Sequence, residues 1–311
     1  MILLIYLDGG LMKLFLEERN VPYNQEFKDK LVELGYTLQE TPDHKTQVMV
    51  STNKKILNNG ELYPSLQYVQ LTSAGFDYFD IEQLKAQGVK ISNARGVYSH
   101  GIAEFVVTRL LEVYQDLRGL NSSQRQAEWN RDINLVSLRN LKGAILGTGS
   151  IAKEVGRLLR VFGPILEGYN RQGTQHEEFD RCYPLSEFDQ KSSSYDFIVI
   201  TLPLNASTKH FFNKERLLSL NKDAVLVNIA RGPIIKEDDL ISILDTHLKA
   251  AILDVFEKEP LDEGSPLWTH PKTYLSSHIS FKNNFYIENV IALILSNLEK
   301  YILNKEVTHL I

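Results

Sequence analysis

Three polar residues in the second half of the chain stand just beyond apolar runs: Arg231 after "AVLVNIA", Glu259 in "AAILDVFEKEP" and His278 after "TYLSS". Val225, Leu226, Val227 and Ile229 make a continuous apolar run, the pattern of a strand buried on both faces. A guanidinium at the end of such a strand is costly unless an anion meets it. Arginine offers a planar fork that grips a carboxylate through two hydrogen bonds. Histidine titrates near neutrality and exchanges a proton with a hydroxyl or carbonyl oxygen. A glutamate on the other imidazole nitrogen favours the protonated ring and fixes its orientation. Each residue alone also fits a plain structural role: a solvated arginine, a surface glutamate after Lys258, a histidine satisfied in the core. Together they suit proton exchange on an acid held by its carboxylate.

A second signal lies upstream. "GAILGTGSIAKEVGRLLRVFG" begins as a strand and opens a helix. Gly147, Gly149 and Ala152 fill the small-residue positions of the G-x-G-x-x-G/A fingerprint. The first permits a tight turn, the second lets backbone approach a pyrophosphate, and the third lets helix pack closely on strand. The loop of Gly147, Thr148, Gly149, Ser150 and Ile151 would seat that pyrophosphate on the helix N-terminus, where free N–H groups and the dipole favour an anion. Glycines also make ordinary turns. Here, however, a second strand, "PILEGYN", ends about 20 residues on, as a dinucleotide site requires. A methyltransferase cofactor on a related loop is the competing ligand.

The elements that must position these residues alternate along the chain. "MILLIYL", "QVMVST", "LQYVQLTS" and "VKISNA" read as strands, with "YNQEFKDKLVELG" and "IEQLKAQG" as helices closed by Gly35 and Gly88. A helical segment from about His100 to Leu120 follows, striped by Ile102, Phe105, Val106, Leu110, Val113 and Leu117. A second series then runs "KGAILG", "PILEGYN", "YDFIVITLP", "AVLVNIA" and "AAILDVF" with helices between. The last helix, "NVIALILSNLEKYILN", is apolar on most of its length and must be well covered. The runs "QRQAEWNRD" and "DQKSSS" read as surface loops, and Trp129 and the aromatics of "NNFYIENV" as packing residues. The predicted fold is α/β: two Rossmann-like doubly wound parallel-sheet domains with a cleft between them. In such sheets ligands bind beyond the carboxyl ends of the strands, which brings Arg231, Glu259 and His278 to one edge.

Composition narrows the class. With 311 residues, 43% hydrophobic and 23% charged, the chain fits a two-domain globular protein. A net charge of -5 argues against nucleic acid or an anionic membrane as partner. No apolar run approaches the ~18 residues of a membrane span. "MILLIYL" stops at Asp8 with no basic lead-in, so it reads as a core strand rather than a signal peptide. The single cysteine, Cys182, cannot form an intrachain disulfide and has no identifiable activating base, which fits a cytoplasmic protein. No His, Cys and carboxylate group has metal-ligand spacing, so no metal is expected.

The stretches "LTSAGFDYFD", "SNARGVYSHGIAEFVVTRLLEV", "GAILGTGSIAKEVG", "VITLPLNASTKHFFN", "LVNIARGPIIKEDDL", "AAILDVFEKEP" and "LSSHIS" together cover most of the chain. In that order the sequence resembles the D-isomer-specific 2-hydroxyacid dehydrogenases, which include D-lactate, phosphoglycerate and glyoxylate/hydroxypyruvate enzymes. The resemblance implies that Arg231 anchors substrate, Glu259 partners the histidine and His278 is the general acid/base. It implies that the backbone N–H groups of Ser73, Ala74 and Gly75 take the substrate carboxylate. Thr201, Leu202, Pro203, Ile229 and Asp254 fall where the family lines its cofactor site. It also implies a discontinuous substrate domain, residues 1–96 plus 283–311, around a nucleotide domain, 97–282. The implied reaction passes a hydride between NAD(P)H and C2 of a small 2-keto or 2-hydroxy acid. A twofold dimer through the nucleotide domains is implied as well. Corepressors of the same fold leave a nucleotide-sensing binding protein as the alternative. Glu259 argues against the formate dehydrogenase branch, which lacks that glutamate.

The sequence departs from the family pattern at three places. Arg95 stands for the usual proline, Ser276 and Ser277 for Thr-Pro, and Asn170 for the aspartate common in NAD-dependent members. An acid at 170 would accept hydrogen bonds from the ribose and repel a 2′-phosphate. Asn170 carries no charge, and Arg171 beside it offers a fork suited to a phosphate dianion, so NADP(H) is expected over NAD(H).

Overall fold

Short runs of valine, isoleucine, leucine and tyrosine, each too apolar for one-sided exposure, make parallel strands that helices must cover on both faces. The computed structural model describes residues 11–19 and 21–311, so the strand expected over "MILLIYL" lies outside the described residues. The chain divides into two units, Met1–Tyr98 with Asn283–Ile311, and Ser99–Lys282.

In the first unit the elements run β1 (Met12–Leu16), α1 (Gln25–Glu33), β2 (Tyr36–Gln39), β3 (Val48–Val50), α2 (Lys54–Leu57), β4 (Tyr68–Gln70), α3 (Ile81–Ala86) and β5 (Lys90–Ser92). All five strands are parallel, in the order β2-β1-β3-β4-β5.

The second unit contains α4 (Ser99–Tyr114), α5 (Leu117–Arg125), β6 (Lys142–Leu146), α6 (Ser150–Leu159), β7 (Ile165–Asn170), β8 (Arg181–Pro184), α7 (Phe188–Lys191), β9 (Phe197–Ile200), α8 (Lys214–Ser219), β10 (Val225–Asn228), α9 (Glu237–Ile243), β11 (Ala250–Leu253) and β12 (Thr273–Leu275). Its sheet is parallel throughout, in the order β12-β11-β10-β9-β6-β7-β8. The order reverses between β6 and β9, the switch point at which open α/β sheets bind ligands. The final helix, α10 (Tyr286–Ile302), returns to the first unit. There Val290, Ile294 and Leu298 pack with Leu14, Leu31, Tyr36 and Tyr68.

Three expectations need correction. The helical segment over 100–120 is two helices, because Asp116 takes a left-handed backbone (φ 40°) and its carboxylate accepts Gly119 N–H at 3.1 Å, capping α5. Leu117, counted in the buried stripe, therefore lies on α5, which buries no residue. The run "DQKSSS" is not a plain surface loop: it contains the end of α7 and a 3₁₀ turn, with Ser192 buried and its hydroxyl bonded to Asp189 and Ser219. Trp129 does not pack into this chain; it is 93% exposed. Among the described residues no helix is long and apolar enough to cross a membrane.

Candidate active site

Arg231 follows β10, whose four residues are all buried. A single polar residue ends that strand, Asn228, and its carboxamide folds the next three residues into a tight loop. Asn228 Oδ1 accepts Ala230 N–H at 3.1 Å and Nδ2 donates to Arg231 O at 2.9 Å. Arg231 Nη1 donates to Ala230 O at 2.8 Å. Gly232 then passes so close to the next loop that a Cβ there would fall on the carbonyl of Phe256. The glycine is obligatory for this approach, and it seats the arginine loop directly on the loop carrying Glu259.

Glu259 reaches in two directions. Oε1 accepts Phe256 N–H at 3.1 Å, which folds its own loop, and Oε2 lies 2.8 Å from His278 Nδ1. A carboxylate only accepts, so Nδ1 carries the hydrogen in this contact and Nε2 is the nitrogen left to exchange a proton. Burial works against the Glu259 charge, yet the bond from His278 and the positive charges of His278 and Arg231 outweigh it and lower its pKa. The Glu259 hydrogen bond raises the His278 pKa; burial and Arg231 oppose it. Arginine, glutamate and histidine thus sense one another within the second unit.

His278 leaves β12 in a left-handed conformation, φ 55°, with its N–H on Asp254 O at 2.8 Å. Asp254 is fully buried, and its carboxylate accepts Ser276 Oγ at 2.6 Å, Ile279 N–H at 2.9 Å and Ser280 N–H at 3.0 Å.

At the switch point β6 is followed by Gly147, φ 99°, packed against Thr201. Thr201 spends its hydroxyl on Leu146 O at 2.9 Å, Leu202 and Ile229 are buried, and Pro203 O accepts the Thr208 hydroxyl at 2.6 Å. Gly149 caps α6, and a Cβ there would meet nothing within 4 Å, so the helix N-terminus opens onto free space flanked by half-exposed Thr148 and Ser150. Ser150 begins the helix, Ile151 follows in its first turn and Ala152 is buried. These residues fit a pyrophosphate on the first turn of α6. At the end of β7, Asn170 Oδ1 accepts Gln172 N–H (3.1 Å) and Thr174 N–H (2.9 Å), while Nδ2 donates to Thr174 O (2.8 Å). Its polar atoms therefore shape the turn that presents exposed Arg171. Glu167, earlier in β7, is committed elsewhere: it accepts the Tyr195 hydroxyl and pairs with Lys142 and Lys191. His100 Nδ1 sits 2.6 Å from Glu154, joining α4 to α6.

The loop of Ser73, Ala74 and Gly75 belongs to the first unit. Its three carbonyls are all satisfied inside that unit: Ser73 O by Ala94 N–H, Ala74 O by Asn93 Nδ2 and Gly75 O by Ser73 Oγ. Sequence reasoning missed Asn228, Gly232 and Ser276. The signal for Asn228 was present, since a lone amide interrupts an apolar strand.

Residues 107–280 match the family model described as D-isomer specific 2-hydroxyacid dehydrogenase, NAD binding domain. A glyoxylate/hydroxypyruvate reductase of Arabidopsis thaliana is 30% identical over 246 residues, 78% of this chain and 75% of its own. Glyoxylate/hydroxypyruvate reductase B of Serratia proteamaculans is 32% identical over 225 residues, 70% of this chain and 68% of its own. The crystal structure of a D-isomer specific 2-hydroxyacid dehydrogenase family protein from Aeromonas salmonicida superposes with a TM-score of 0.83 at 26% identity, covering 97% of this chain and 99% of that one. Relatives that are reductases favour an enzyme over the nucleotide-sensing alternative. The chain is therefore an NAD(P)-dependent oxidoreductase and belongs to the D-isomer-specific 2-hydroxyacid dehydrogenase family.

Proposed function

We propose that the protein reduces a small 2-keto acid of the glyoxylate or hydroxypyruvate class, with NADPH as the preferred cofactor. The observation that carries this reading is the 2.8 Å contact between His278 Nδ1 and Glu259, with Arg231 in electrostatic reach of both. Arg231 grips the carboxylate and C2 oxygen of the acid; in the first unit, the backbone N–H groups of Ser73, Ala74 and Gly75 suit a carboxylate as ligand. His278, kept protonated by Glu259, donates from Nε2 to the keto oxygen. A nicotinamide cofactor, when bound, would supply the hydride that C2 accepts. The loop of Gly147, Thr148, Gly149, Ser150 and Ile151 seats the pyrophosphate, and Thr201, Leu202, Pro203 and Ile229 line the rest of the cofactor site. Two relatives, from Arabidopsis thaliana and Serratia proteamaculans, are glyoxylate/hydroxypyruvate reductases, which supports the substrate class.

The cofactor preference rests on β7. Asn170 spends its amide on its own turn and brings no negative charge, while Arg171 beside it is exposed and offers its guanidinium to a ribose 2′-phosphate. The test is kcat/KM with NADPH and with NADH on glyoxylate and hydroxypyruvate, for the parent and Arg171→Ala. NADPH is expected to win in the parent, and Arg171→Ala to lower the NADPH:NADH ratio by about tenfold. NADH winning by that margin, or a ratio that Arg171→Ala leaves untouched, overturns the assignment.

A further inference from the structure

His278 is the only member of the catalytic trio in a left-handed backbone conformation. Non-glycine residues enter that region at a cost and stay there only when the surroundings over-determine them. Nothing in the imidazole itself supplies that restraint, because its Nδ1 contact with Glu259 acts at the tip of a rotatable side chain. The restraint lies in the main chain around it. Asp254 O accepts His278 N–H from one side, while the Asp254 carboxylate takes the hydroxyl of Ser276 two residues before it and the N–H groups of Ile279 and Ser280 just after it. The aspartate side chain is completely buried. Its Oδ1 is shared by Ser276 and Ile279 and its Oδ2 is taken by Ser280, so both oxygens are turned into the histidine loop.

We infer that Ser276 and Asp254 are positioning residues for proton transfer, fixing the left-handed turn that sets the His278 imidazole against Glu259. The inference rests on the reading of His278 as the acid. It gives Ser276, one of the two serines that depart from the family's Thr-Pro, a task of its own: among the described residues its hydroxyl is the side-chain donor on the Asp254 carboxylate. Reaction rates fall steeply when a reacting group is displaced, by up to about 10²-fold for a shift near 1 Å. Loss of one of several restraints is expected to cost about tenfold.

The experiment uses the full-length protein with glyoxylate and hydroxypyruvate. Ser276→Ala, Ser276→Thr, Asp254→Asn and His278→Ala are compared by kcat, by KM for the keto acid, by NADPH dissociation constant from fluorescence titration, and by thermal midpoint. Ser276→Ala is expected to lower kcat about tenfold, with KM and the NADPH dissociation constant within threefold of the parent. Ser276→Thr, which restores the hydroxyl, should recover kcat to within about threefold. Asp254→Asn should fall further in kcat and still bind NADPH within threefold. The inference is overturned if Ser276→Ala keeps its turnover, if threonine fails to rescue it, or if Asp254→Asn loses NADPH affinity tenfold while retaining kcat at saturation. Should Asp254→Asn fail to fold, the Ser276 pair decides alone. His278→Ala separates the two readings. If it stays active the acid assignment fails, whereas an inactive His278→Ala beside a fully active Ser276→Ala removes only the positioning role.

Discussion

At His278 two influences oppose each other: the Glu259 hydrogen bond raises the imidazole pKa, and burial lowers it, with a net rise from the ordinary 6.5. In the proposed mechanism keto-acid reduction draws on the protonated ring, so the rate should be full at low pH and be lost as pH climbs through the raised value. Glu259→Gln removes the anionic partner, and the alkaline limb of the kcat/KM profile should move to lower pH. The same pair contributes to stability in a bounded window. The histidine's share is present below 6.5 and is lost as pH rises through its folded value; the share of Glu259 is present above 4.5 and is lost as pH falls through its lowered value. His278→Ala should reduce kcat by about 10²- to 10⁴-fold, with NADPH affinity largely kept in a fluorescence titration. Arg231→Lys keeps the charge but not the planar fork, and should remain severely impaired in kcat/KM on keto acids; near-full activity would make Arg231 structural. The residue types that carry this chemistry were legible in the sequence because they interrupt apolar runs. The left-handed turn of His278 was not, because its partner Asp254 lies 24 residues earlier and no local pattern announces the bond.

Elements hold these residues through close backbone packing. Gly232 is the clearest case: any side chain there collides with the Phe256 carbonyl, so Gly232→Ala must push the arginine loop off the glutamate loop. Overpacking of this kind costs about 1–3 kcal/mol, which a thermal melt should register. The displaced Arg231 should lower kcat/KM about tenfold or more in the same variant. A variant with parental melting and parental kinetics would mean that the two loops separate freely. Strand-and-helix alternation was read correctly from the continuous apolar runs, and the α/β fold follows from it. Strand β1 ("MKLFL") was missed because the first strand was expected over "MILLIYL", and the short strands β2 and β8 because four residues such as "YTLQ" or "RCYP" carry too little periodicity to stand out. The break between α4 and α5 was missed for another reason: Asp116 is an unremarkable residue by propensity, and only its left-handed backbone and cap onto Gly119 end the first helix.

For the whole molecule, assembly is the open expectation, and two exposed features bear on it. Helix α5 buries none of its residues, and Trp129, on the irregular segment after it, is 93% exposed. Val161, Phe162 and Ile165 form a second exposed apolar group in the same unit. Surfaces of this kind suit a second copy of the chain in a twofold dimer. Light scattering at micromolar concentration should give twice the chain mass, and Trp129→Glu should shift it toward the monomer; a parent that is already monomeric refutes the dimer. A different consequence follows from where the proton machinery sits. Arg231, Asp254, Glu259, Ser276 and His278 all lie in the unit Ser99–Lys282, with Ser276 bonded to Asp254, His278 to Glu259, and Arg231 in electrostatic reach of the last two. On the proposed reading, acid–base behaviour is therefore a heritable property of one module. A chimera that keeps residues 99–282 and takes its other unit from a relative of different keto-acid preference should carry this protein's pH profile with it. If the chimera does so, substrate choice can drift in a lineage while the titration of the histidine stays where it is.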